Sequence, residues 1–326
     1  MTVLAIEDLT VEFATEGGTL RALDRVSFTV PERGIVGIVG ESGCGKSTLI
    51  DAILGLLAEN GSVAAGRIEF GGEDLTRLPP AAMRAIRGER ISTVFQDPMG
   101  ALNPVLSIGR QMADIQHRSG LSGRARRERA AEMLARVRIP DARARLDQYP
   151  HELSGGMRQR VAIAMALMME PELLIADEPT TALDATLEVA TIELLRDLQR
   201  ETGVAILFVS HHLGVIAELC REVVVMYAGE VAERGPVRAI FRDPRHPYTA
   251  RLLECDPALI QGRGQRLPTI PGEIPDLRAR PRGCIFAPRC SVAHDRCAEP
   301  PPVVEAGADH AARCWLAGTP RREDAA

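Results

Sequence analysis

The sequence predicts an α/β protein with a mainly parallel sheet, a smaller antiparallel sheet near the N-terminus, a helical insertion and a C-terminal extension. Three observations lead to this fold class. Continuous apolar runs such as GIVGIV (34–39) and VAILFVS (204–210) are typical of strands buried on both faces. Amphipathic helical segments alternate with such strands, as in a parallel sheet covered by helices. Beyond about residue 243 the chain becomes rich in proline, which predicts the start of the extension.

The individual elements follow from periodicity and from turn residues. Short β-rich runs near the N-terminus predict the antiparallel sheet, and a long, mostly helical stretch interrupts the later strand–helix alternation. The predicted strands are 3–6, 9–13, 26–30, 34–39, 90–95, 172–176, 204–210 and 222–229, and the predicted helices include 46–57 and 184–202. We expect a first domain at 1–245, with a helical subdomain at about 97–165, and an extension at 246–326.

The composition argues against several classes of protein. The 326 residues provide enough chain for one large domain and an appendage, or for two modest domains. The formal net charge is −5, so a general nucleic-acid-binding role has no support. No uncharged apolar run approaches the ~18 residues of a membrane-spanning helix, and the N-terminus shows no signal-peptide pattern. We therefore expect a cytoplasmic protein that reaches a membrane only through a partner.

A glycine-rich stretch, GESGCGKS (40–47), fits the pattern G-x-x-x-x-G-K-[ST] between an apolar strand and a predicted helix. Its backbone N–H groups can curl around phosphate oxygens, and the helix N-terminus adds a positive partial charge. Lys46 is the only lysine in the chain, and its compact ammonium can reach β- and γ-phosphates where a planar guanidinium is too wide. Ser47 is the expected Mg²⁺ ligand. The residues expected to bind a nucleotide here are Gly40, Glu41, Ser42, Gly43, Cys44, Gly45, Lys46, Ser47 and Thr48.

Two carboxylates end a predicted buried strand in LLIADEP (173–179). The carboxyl ends of parallel strands are where α/β folds bind ligands. Asp177 is placed to hold Mg²⁺ through water, and Glu178 is the candidate general base for a water that attacks a phosphate. On its own, such an acid pair would be a surface turn about as often as a site.

The stretch ELSGGMRQR (152–160) is a second potential anion-binding element. Ser154, Gly155 and Gly156 open a predicted helix, so that a hydroxyl, two bare glycine amides and a helix dipole meet there. As a local helix N-cap, Ser154 needs no further explanation. Its meaning comes from its place shortly before Asp177 in a chain that already has a phosphate loop.

Together these motifs resemble those of the ATP-binding-cassette (ABC) family of transport ATPases, over residues 3 to 240. Three further stretches fit the family in its own order. FQDP (95–98) resembles the glutamine loop, TALD (181–184) the loop that crosses to a partner, and VSHH (209–212) the histidine switch.

The resemblance implies a role for each matching residue. The implied catalytic residues are Glu178, His211 and Gln96, and the implied Mg²⁺ ligands are Ser47, Gln96 and Asp177. Further ATP contacts are implied for Phe13, Ser154, Gly155, Gly156 and Asp184, with Phe13 stacking on adenine. The stretch LSGGM (153–157) resembles the family signature. Two positions depart from the family pattern: Met157 stands where the signature usually has glutamine, and His212 where an acid usually follows the switch. Met157 resembles the peptide-importer branch, whereas His212 could alter the local charge of the switch.

Partners and a mechanism are implied as well. Two cassettes would meet head to tail, each ATP lying between one chain's phosphate loop and the other's signature, and the second cassette is expected to be a related chain. Closure on ATP and Mg²⁺ would drive two transmembrane permease subunits, which receive cargo from an extracytoplasmic substrate-binding protein. The chain would lie peripherally on the cytoplasmic face of the inner membrane and would bind no nucleic acid.

The tail narrows the resemblance to one branch. RHPYTARLL, IPGEIPDL and PRGCIFAPRC (245–290) resemble the C-terminal extension of dipeptide- and oligopeptide-importer ATPases, and FQDPMGALNP (95–104) resembles their first, D-type subunit. The expected function is ATP-driven import of di- or oligopeptides. Alternatives are a nickel or other small-solute importer of the same family, a soluble non-transport ABC ATPase, and a regulator that binds nucleotide without hydrolysis. Glu178 argues against the regulator.

Four of the seven cysteines lie in the tail, with the spacing C-x5-C-x6-C-x16-C; they are Cys284, Cys290, Cys297 and Cys314. In a reducing compartment such a group favours a metal site over disulfides. Four thiolates suit tetrahedral Zn²⁺ or a [4Fe–4S] cluster, although structural zinc usually shows a tighter pair. The resemblance implies the [4Fe–4S] cluster, which we favour, with Zn²⁺ or unligated cysteines as alternatives. A metal would stabilise a proline-rich tail that has little core of its own.

Overall fold

Residues 1–181, 184–256 and 268–318 are described by a computed structural model of the chain. The strands in this part of the chain are β1 (Thr2–Thr15), β2 (Gly18–Pro31), β3 (Ile35–Val39), β4 (Gly61–Phe70), β5 (Glu73–Asp74), β6 (Ile91–Val94), β7 (Leu173–Asp177), β8 (Ala205–Val209), β9 (Glu222–Tyr227), β10 (Glu230–Pro236), β11 (Val303–Gly307) and β12 (His310–Arg313). The helices are α1 (Lys46–Leu54), α2 (Pro80–Ile86), α3 (Pro98–Ala101), α4 (Ile108–Ile115), α5 (Gly123–Arg136), α6 (Ala142–Arg145), α7 (Gly155–Leu167), α8 (Ala185–Thr202), α9 (Leu213–Leu219), α10 (Val237–Arg242) and α11 (Pro247–Glu254).

The chain divides into two compact units. The P-loop unit comprises Thr2–Val30, Ile35–Leu78 and Val209–Ala326, and the signature unit comprises Met1, Pro31–Gly34 and Pro79–Phe208. The boundary predicted at residue 245 falls inside the P-loop unit, so the proposed extension belongs to the same unit as the glycine loop. The predicted helical subdomain at about 97–165 lies within the signature unit.

In the P-loop unit, an antiparallel sheet has the strand order β2-β1-β4-β5. The sequence pattern predicts two short strands, 3–6 and 9–13, where the structure has the single strand β1. The register of β1 against β4 shifts between Glu7 and Thr10, and Asp8 between them has a φ of 45°. A β-bulge therefore breaks the alternation of apolar residues without ending the strand.

Each unit also contains parallel strand pairs. In the P-loop unit the order is β11-β12-β10-β9-β3, with β3 parallel to β9 and β10 antiparallel to β9. In the signature unit the order is β8-β7-β6, with β6 parallel to β7. All five residues of β3 are buried, as expected of an apolar strand covered on both faces. The glycine loop follows β3 directly.

In the signature unit, helices α4 and α7 both pack against α5. Ser107 and Ser122 cap α4 and α5, each accepting a hydrogen bond from a backbone N–H of the first turn. The arginine-rich face predicted at 124–139 forms surface ion pairs, including Arg127 with Asp147 at 2.7 Å. Such exposed pairs each contribute little stability, which agrees with a solvated helix face rather than a binding patch.

The extension contributes residues to the core of the P-loop unit. Strand β12 pairs with β10, and Ala312 lies opposite Glu233. Tyr248 and Phe286 are fully buried against Tyr227 of β9, with ring centroids 4.7 and 5.1 Å from that ring. The sequence pattern hides this because the aromatic residues are far apart in the chain.

Of the helices in the described ranges, none combines the length and the apolar character needed to cross a membrane.

Candidate active site

The glycine loop 40–47 links β3 to α1 in the P-loop unit. Gly43 and Gly45 have φ values of 80° and 105°, which side chains rarely tolerate. A Cβ at Gly45 would lie 2.7 Å from the Cδ2 of Leu23, so the close approach also requires glycine. No described side chain caps the N-terminus of α1, and its first turn contains no acid. Its backbone N–H groups therefore remain suited to phosphate oxygens.

Lys46 folds back over this loop. Its Nζ donates to the carbonyl oxygens of Gly40 at 2.8 Å and Glu41 at 3.3 Å, and the residue is only 8% exposed. A compact ammonium can serve both carbonyls and then turn toward a phosphate, because its three donors lie on a flexible stem. Cys44 is buried beneath, and its burial raises the pKa of the thiol. That thiol therefore stays protonated at neutral pH.

Gln96 and Glu178 come together in the signature unit. Strands β6 and β7 are parallel, and Val94 pairs with Ala176, so the residues two positions further on emerge at the same sheet edge. The Nε2 of Gln96 donates to the Oε2 of Glu178 at 3.0 Å. The Oγ1 of Thr181, which the sequence analysis did not single out, donates to the same oxygen at 3.0 Å.

The backbone at Glu178 is unusual, with a φ of 45°. A non-glycine residue pays for this left-handed conformation, and such strain concentrates at functional sites. Asp177 precedes it as the last residue of β7 and is partly buried. The two carboxylates thus differ in backbone conformation, because Asp177 belongs to the strand and Glu178 is left-handed.

Ser154 is the N-cap of α7, where its Oγ accepts from the N–H of Met157 at 3.3 Å. The two glycines that follow differ in their surroundings. A Cβ at Gly156 would lie 3.0 Å from Leu187, whereas one at Gly155 would meet no heavy atom of the described residues within 4 Å. Packing therefore explains the glycine at position 156, but it gives no reason for the glycine at position 155.

The structure gives the other predicted site residues local partners. Asp184 caps α8 by accepting from the N–H of Leu187 at 2.9 Å. The rings of His211 and His212 meet edge to face at 4.2 Å, and both residues are exposed. The partly exposed ring of Phe13 covers Gly61, where a Cβ would lie 2.6 Å from Cε1. Positions 182 and 183 of the TALD motif lie outside the described residues.

A buried network behind the glycine loop was not predicted. The fully buried carboxylate of Glu233 accepts from the N–H groups of Arg245 and His246 and contacts the Nε2 of His310 at 2.7 Å. The Nδ1 of His246 accepts from the N–H of Tyr248, whose hydroxyl accepts from the N–H of Glu41 at 3.0 Å. The stretch RHPYTARLL contains both rings, but only the fold shows that they reach the loop.

This network predicts a pH-dependent stability. Burial lowers the pKa of His246 to about 4 from an ordinary 6.5, despite the opposing charge of Glu233. Between pH 6.5 and pH 4, His246 therefore binds a proton in the unfolded chain but not in the folded chain. The free energy of unfolding falls as the pH drops through this range. Asparagine at this position keeps an N-cap acceptor but does not titrate. Between pH 7 and pH 5, urea unfolding should show wild type losing about 2 kcal/mol more than His246→Asn. Parallel pH dependences would contradict this assignment.

The four tail cysteines lie in one region, but the described residues do not group them as metal ligands. The N–H of Cys284 donates to the carbonyl of Cys297 at 2.9 Å, and all seven cysteines are unpaired. Burial raises the pKa of the Cys284 thiol to about 11, and it also raises the pKa values of Cys290 and Cys314, so without a bound metal these groups are thiols. Within the described ranges, no three or more His, Cys, Asp and Glu side chains are grouped to hold a metal ion. The structure thus gives the predicted [4Fe–4S] or Zn²⁺ site no support.

A glycine loop after a parallel strand, with an acid pair at another parallel strand end, defines a P-loop nucleotide-binding protein. Comparison of the chain with known proteins identifies its family. The ABC transporter profile matches residues 23–181, and the profile of the oligopeptide/dipeptide transporter C-terminal region matches 232–297. A protein of Brucella abortus (strain 2308) named for peptide import and ATP binding is 48% identical over 313 residues, covering 96% of this chain and 94% of that protein.

Two further comparisons agree. The dipeptide transport ATP-binding protein DppD of Escherichia coli (strain K12) is 46% identical over 310 residues, covering 95% of this chain and 94% of that protein. A dimeric ATP-binding cassette, solved in a post-hydrolysis state with ADP and phosphate, has a TM-score of 0.64 and 29% identity, over 72% of this chain and 99% of that one. The chain belongs to the ABC transporter family as an ATP-binding subunit, which confirms the predicted fold class, family and ATPase class.

Proposed function

We propose that this chain is the ATP-hydrolysing, energy-coupling subunit of an importer for di- or oligopeptides. The carrying observation is that the glycine loop and the Gln96–Glu178 pair occur in a chain whose tail matches the oligopeptide/dipeptide transporter C-terminal region. The names of its relatives, one for peptide import and one for dipeptide transport, support this cargo. The resemblance of FQDPMGALNP to the first, D-type subunit completes the proposal.

In this function each residue has a chemical task. Lys46 and the loop amides bind the β- and γ-phosphates, while Phe13 stacks on adenine. Glu178 accepts a proton from the attacking water, whose oxygen bonds to the γ-phosphorus as the bond to the β–γ bridging oxygen breaks. The hydrogen bonds from Gln96 and Thr181 hold that carboxylate in place. His211 would act as the switch beside the γ-phosphate.

A magnesium ion is implied by the family. Its proposed holders are the hydroxyl of Ser47, the amide of Gln96 and the carboxylate of Asp177, all oxygen donors of the kind Mg²⁺ prefers. The ion would neutralise charge on the phosphates when bound. No thiolate chemistry enters the proposal, because the tail cysteines do not form a metal-binding group in the described residues. The [4Fe–4S] cluster therefore stays a sequence prediction, which iron and sulfide analysis of oxygen-free protein can test.

A second cassette completes the site in this proposal. Gly155 at the start of α7 is exposed, and a backbone N–H at a helix N-terminus suits a phosphate that a partner chain presents. The solved cassette that resembles this chain is dimeric and holds ADP and phosphate. We propose a related chain as the partner, with Asp184 crossing toward it.

The signature unit offers a surface for a permease. Phe95, beside Gln96, is 51% exposed, and Val105 is 75% exposed. The N–H of Ile108 donates to the carbonyl of Gln148, which brings the exposed Tyr149 to the same part of the unit as Val105. Exposed apolar side chains in one part of a unit, here Val105 and Tyr149, favour a binding surface. We propose that two permease subunits dock there and hold the chain peripherally at the inner membrane, with a substrate-binding protein on the opposite side.

Membrane recruitment tests this proposal. Co-expression with the permease pair of the same genome should move the chain into the membrane fraction, and Val105→Asp should return most of it to the soluble fraction because it places a charge in the apolar contact. Val303→Asp is the matched control, since Val303 is a comparably exposed valine on β11 of the extension. Recruitment unaffected by Val105→Asp, or absent in wild type, would contradict the docking proposal.

A further inference from the structure

Arg289 of the extension forms an ion pair with Glu41 of the glycine loop. The guanidinium of Arg289 is 4% exposed and forms a two-pronged ion pair with Glu41, at 2.8 Å to Oε2 and 3.1 Å to Oε1. Its remaining donors bind the carbonyls of Ile270 and Pro271, at 3.1 and 2.9 Å. The hydroxyl of Tyr227 accepts a further bond at 3.3 Å. The planar fork is therefore held from several directions while it grips Glu41.

Glu41 is the second residue of the loop, and three of its groups are held. Its N–H donates to the hydroxyl of Tyr248, its carbonyl accepts from Lys46, and its carboxylate pairs with Arg289. Two of these three partners belong to the segment after residue 243. The conformation of the glycine loop therefore depends on two side chains of the extension, Tyr248 and Arg289.

A second arginine of the extension supports the other end of the loop. Arg280 donates to the carbonyls of Arg21 and Ala228, both at 3.1 Å, and pairs with Glu230 at 2.5 Å. The adjacent Gly229 donates its N–H to the carbonyl of Cys44 at 2.9 Å. The turn that anchors Cys44 is thus itself anchored by the extension.

Charge gives the Arg289–Glu41 pair a consequence beyond packing. A carboxylate in a loop that binds a triphosphate would repel it, and this repulsion is strong in a partly buried site where solvent screens poorly. Glu41 is 26% exposed, so its charge is screened only in part. Its pairing with the buried guanidinium removes most of that repulsion and fixes the backbone on either side.

We propose that Arg289 is a positioning residue for ATP binding, which neutralises Glu41 and holds the phosphate loop in its binding conformation. The inference rests on the proposed nucleotide binding by this loop. It makes affinity for ATP a property of the extension as well as of the cassette. A purely structural Arg289 would instead only tie the segment 270–271 to the unit.

The test measures two things for each variant. Calorimetry gives the Kd for AMP-PNP, a non-hydrolysable ATP analogue, in the presence of Mg²⁺, and steady-state hydrolysis of ATP gives KM and kcat. Arg289→Met should raise Kd and KM at least tenfold, with kcat changed less than about threefold, because the lost interaction acts on binding rather than on chemistry. Adding Glu41→Gln to Arg289→Met should restore Kd to within about threefold of wild type, since it removes the unpaired charge. Arg289→Lys, which keeps a charge but not the fork, should fall between wild type and Arg289→Met.

Arg278→Met is the matched control. Arg278 forms an exposed two-pronged pair with Asp276 in the same extension, so its loss should leave Kd unchanged. An unchanged Kd in Arg289→Met, or a raised Kd that Glu41→Gln fails to rescue, would overturn the positioning role while wild-type binding still supported the proposed function. If Arg289→Met does not fold, Arg289→Lys with and without Glu41→Gln carries the same test. Wild type that binds no nucleotide at all would overturn the proposed function itself.

Discussion

Replacing Lys46 with alanine is expected to lower the affinity for ATP roughly a hundredfold or more and to abolish hydrolysis. The ammonium is the sole lysine charge in the chain and already lies over the carbonyls of Gly40 and Glu41. A charge-assisted hydrogen bond to phosphate has no replacement there, and the loss appears in both binding and rate. Calorimetry with Mg²⁺ and AMP-PNP, followed by phosphate-release assays, measures both effects.

Lys46→Arg separates charge from shape. The glycine loop leaves little room beside the buried Lys46. We therefore expect Lys46→Arg to bind ATP with less than about a tenth of the wild-type affinity, although the guanidinium keeps the positive charge. Arg278→Met, which removes a positive charge far along the chain, should bind as wild type does. Hydrolysis by Lys46→Ala at the wild-type rate would show that the loop does not hold the phosphates.

Replacing Glu178 with glutamine is expected to reduce ATP hydrolysis by about 10²- to 10⁴-fold, the usual contribution of a general base. Glutamine has nearly the same shape and can still accept the bonds from Gln96 and Thr181, which now reach Oε2. Binding of ATP should therefore change by less than about threefold. Single-turnover phosphate release and calorimetry distinguish the two quantities, and a closed dimer with trapped ATP should accumulate.

Glu172→Gln is the control for that variant. Glu172 lies beside the opposite end of β7 and pairs with Arg90 on the surface, so its loss should leave the rate unchanged. Wild-type turnover in Glu178→Gln would remove this residue as the base. An equal loss in both variants would instead indicate a defect in the strand.

Local patterns were sufficient for much of the fold. The apolar run of β3 and the amphipathic period of α8 predict elements that the structure places within one or two residues, because burial and periodicity act over short spans. The bulge at Asp8 shows the limit, since it is set by pairing with β4 rather than by the residues of β1 alone. Strands β11 and β12 were missed for a similar reason, as their short runs gain stability only by pairing with β10.

The site shows the same division. The glycine loop, the signature and the acid pair are contiguous in sequence, so their chemistry can be read from residue types and spacing. The structure adds that the pairing of β6 with β7 brings Gln96 and Glu178 together. By contrast, Arg289 is separated from Glu41 by 248 positions, and His246 and Tyr248 reach the loop only through the fold. No local pattern distinguishes such an arginine from the many others in this chain.

Stimulation of ATP hydrolysis by imported peptide would show that this chain drives peptide import. The chain is assembled with its permease pair and second cassette in lipid nanodiscs, and phosphate release is followed with and without peptide-loaded binding protein. Loaded binding protein is expected to stimulate hydrolysis several-fold, and Glu178→Gln in this chain is expected to remove the stimulated rate. Hydrolysis that ignores both the loaded binding protein and the Glu178→Gln change would contradict this role in peptide import.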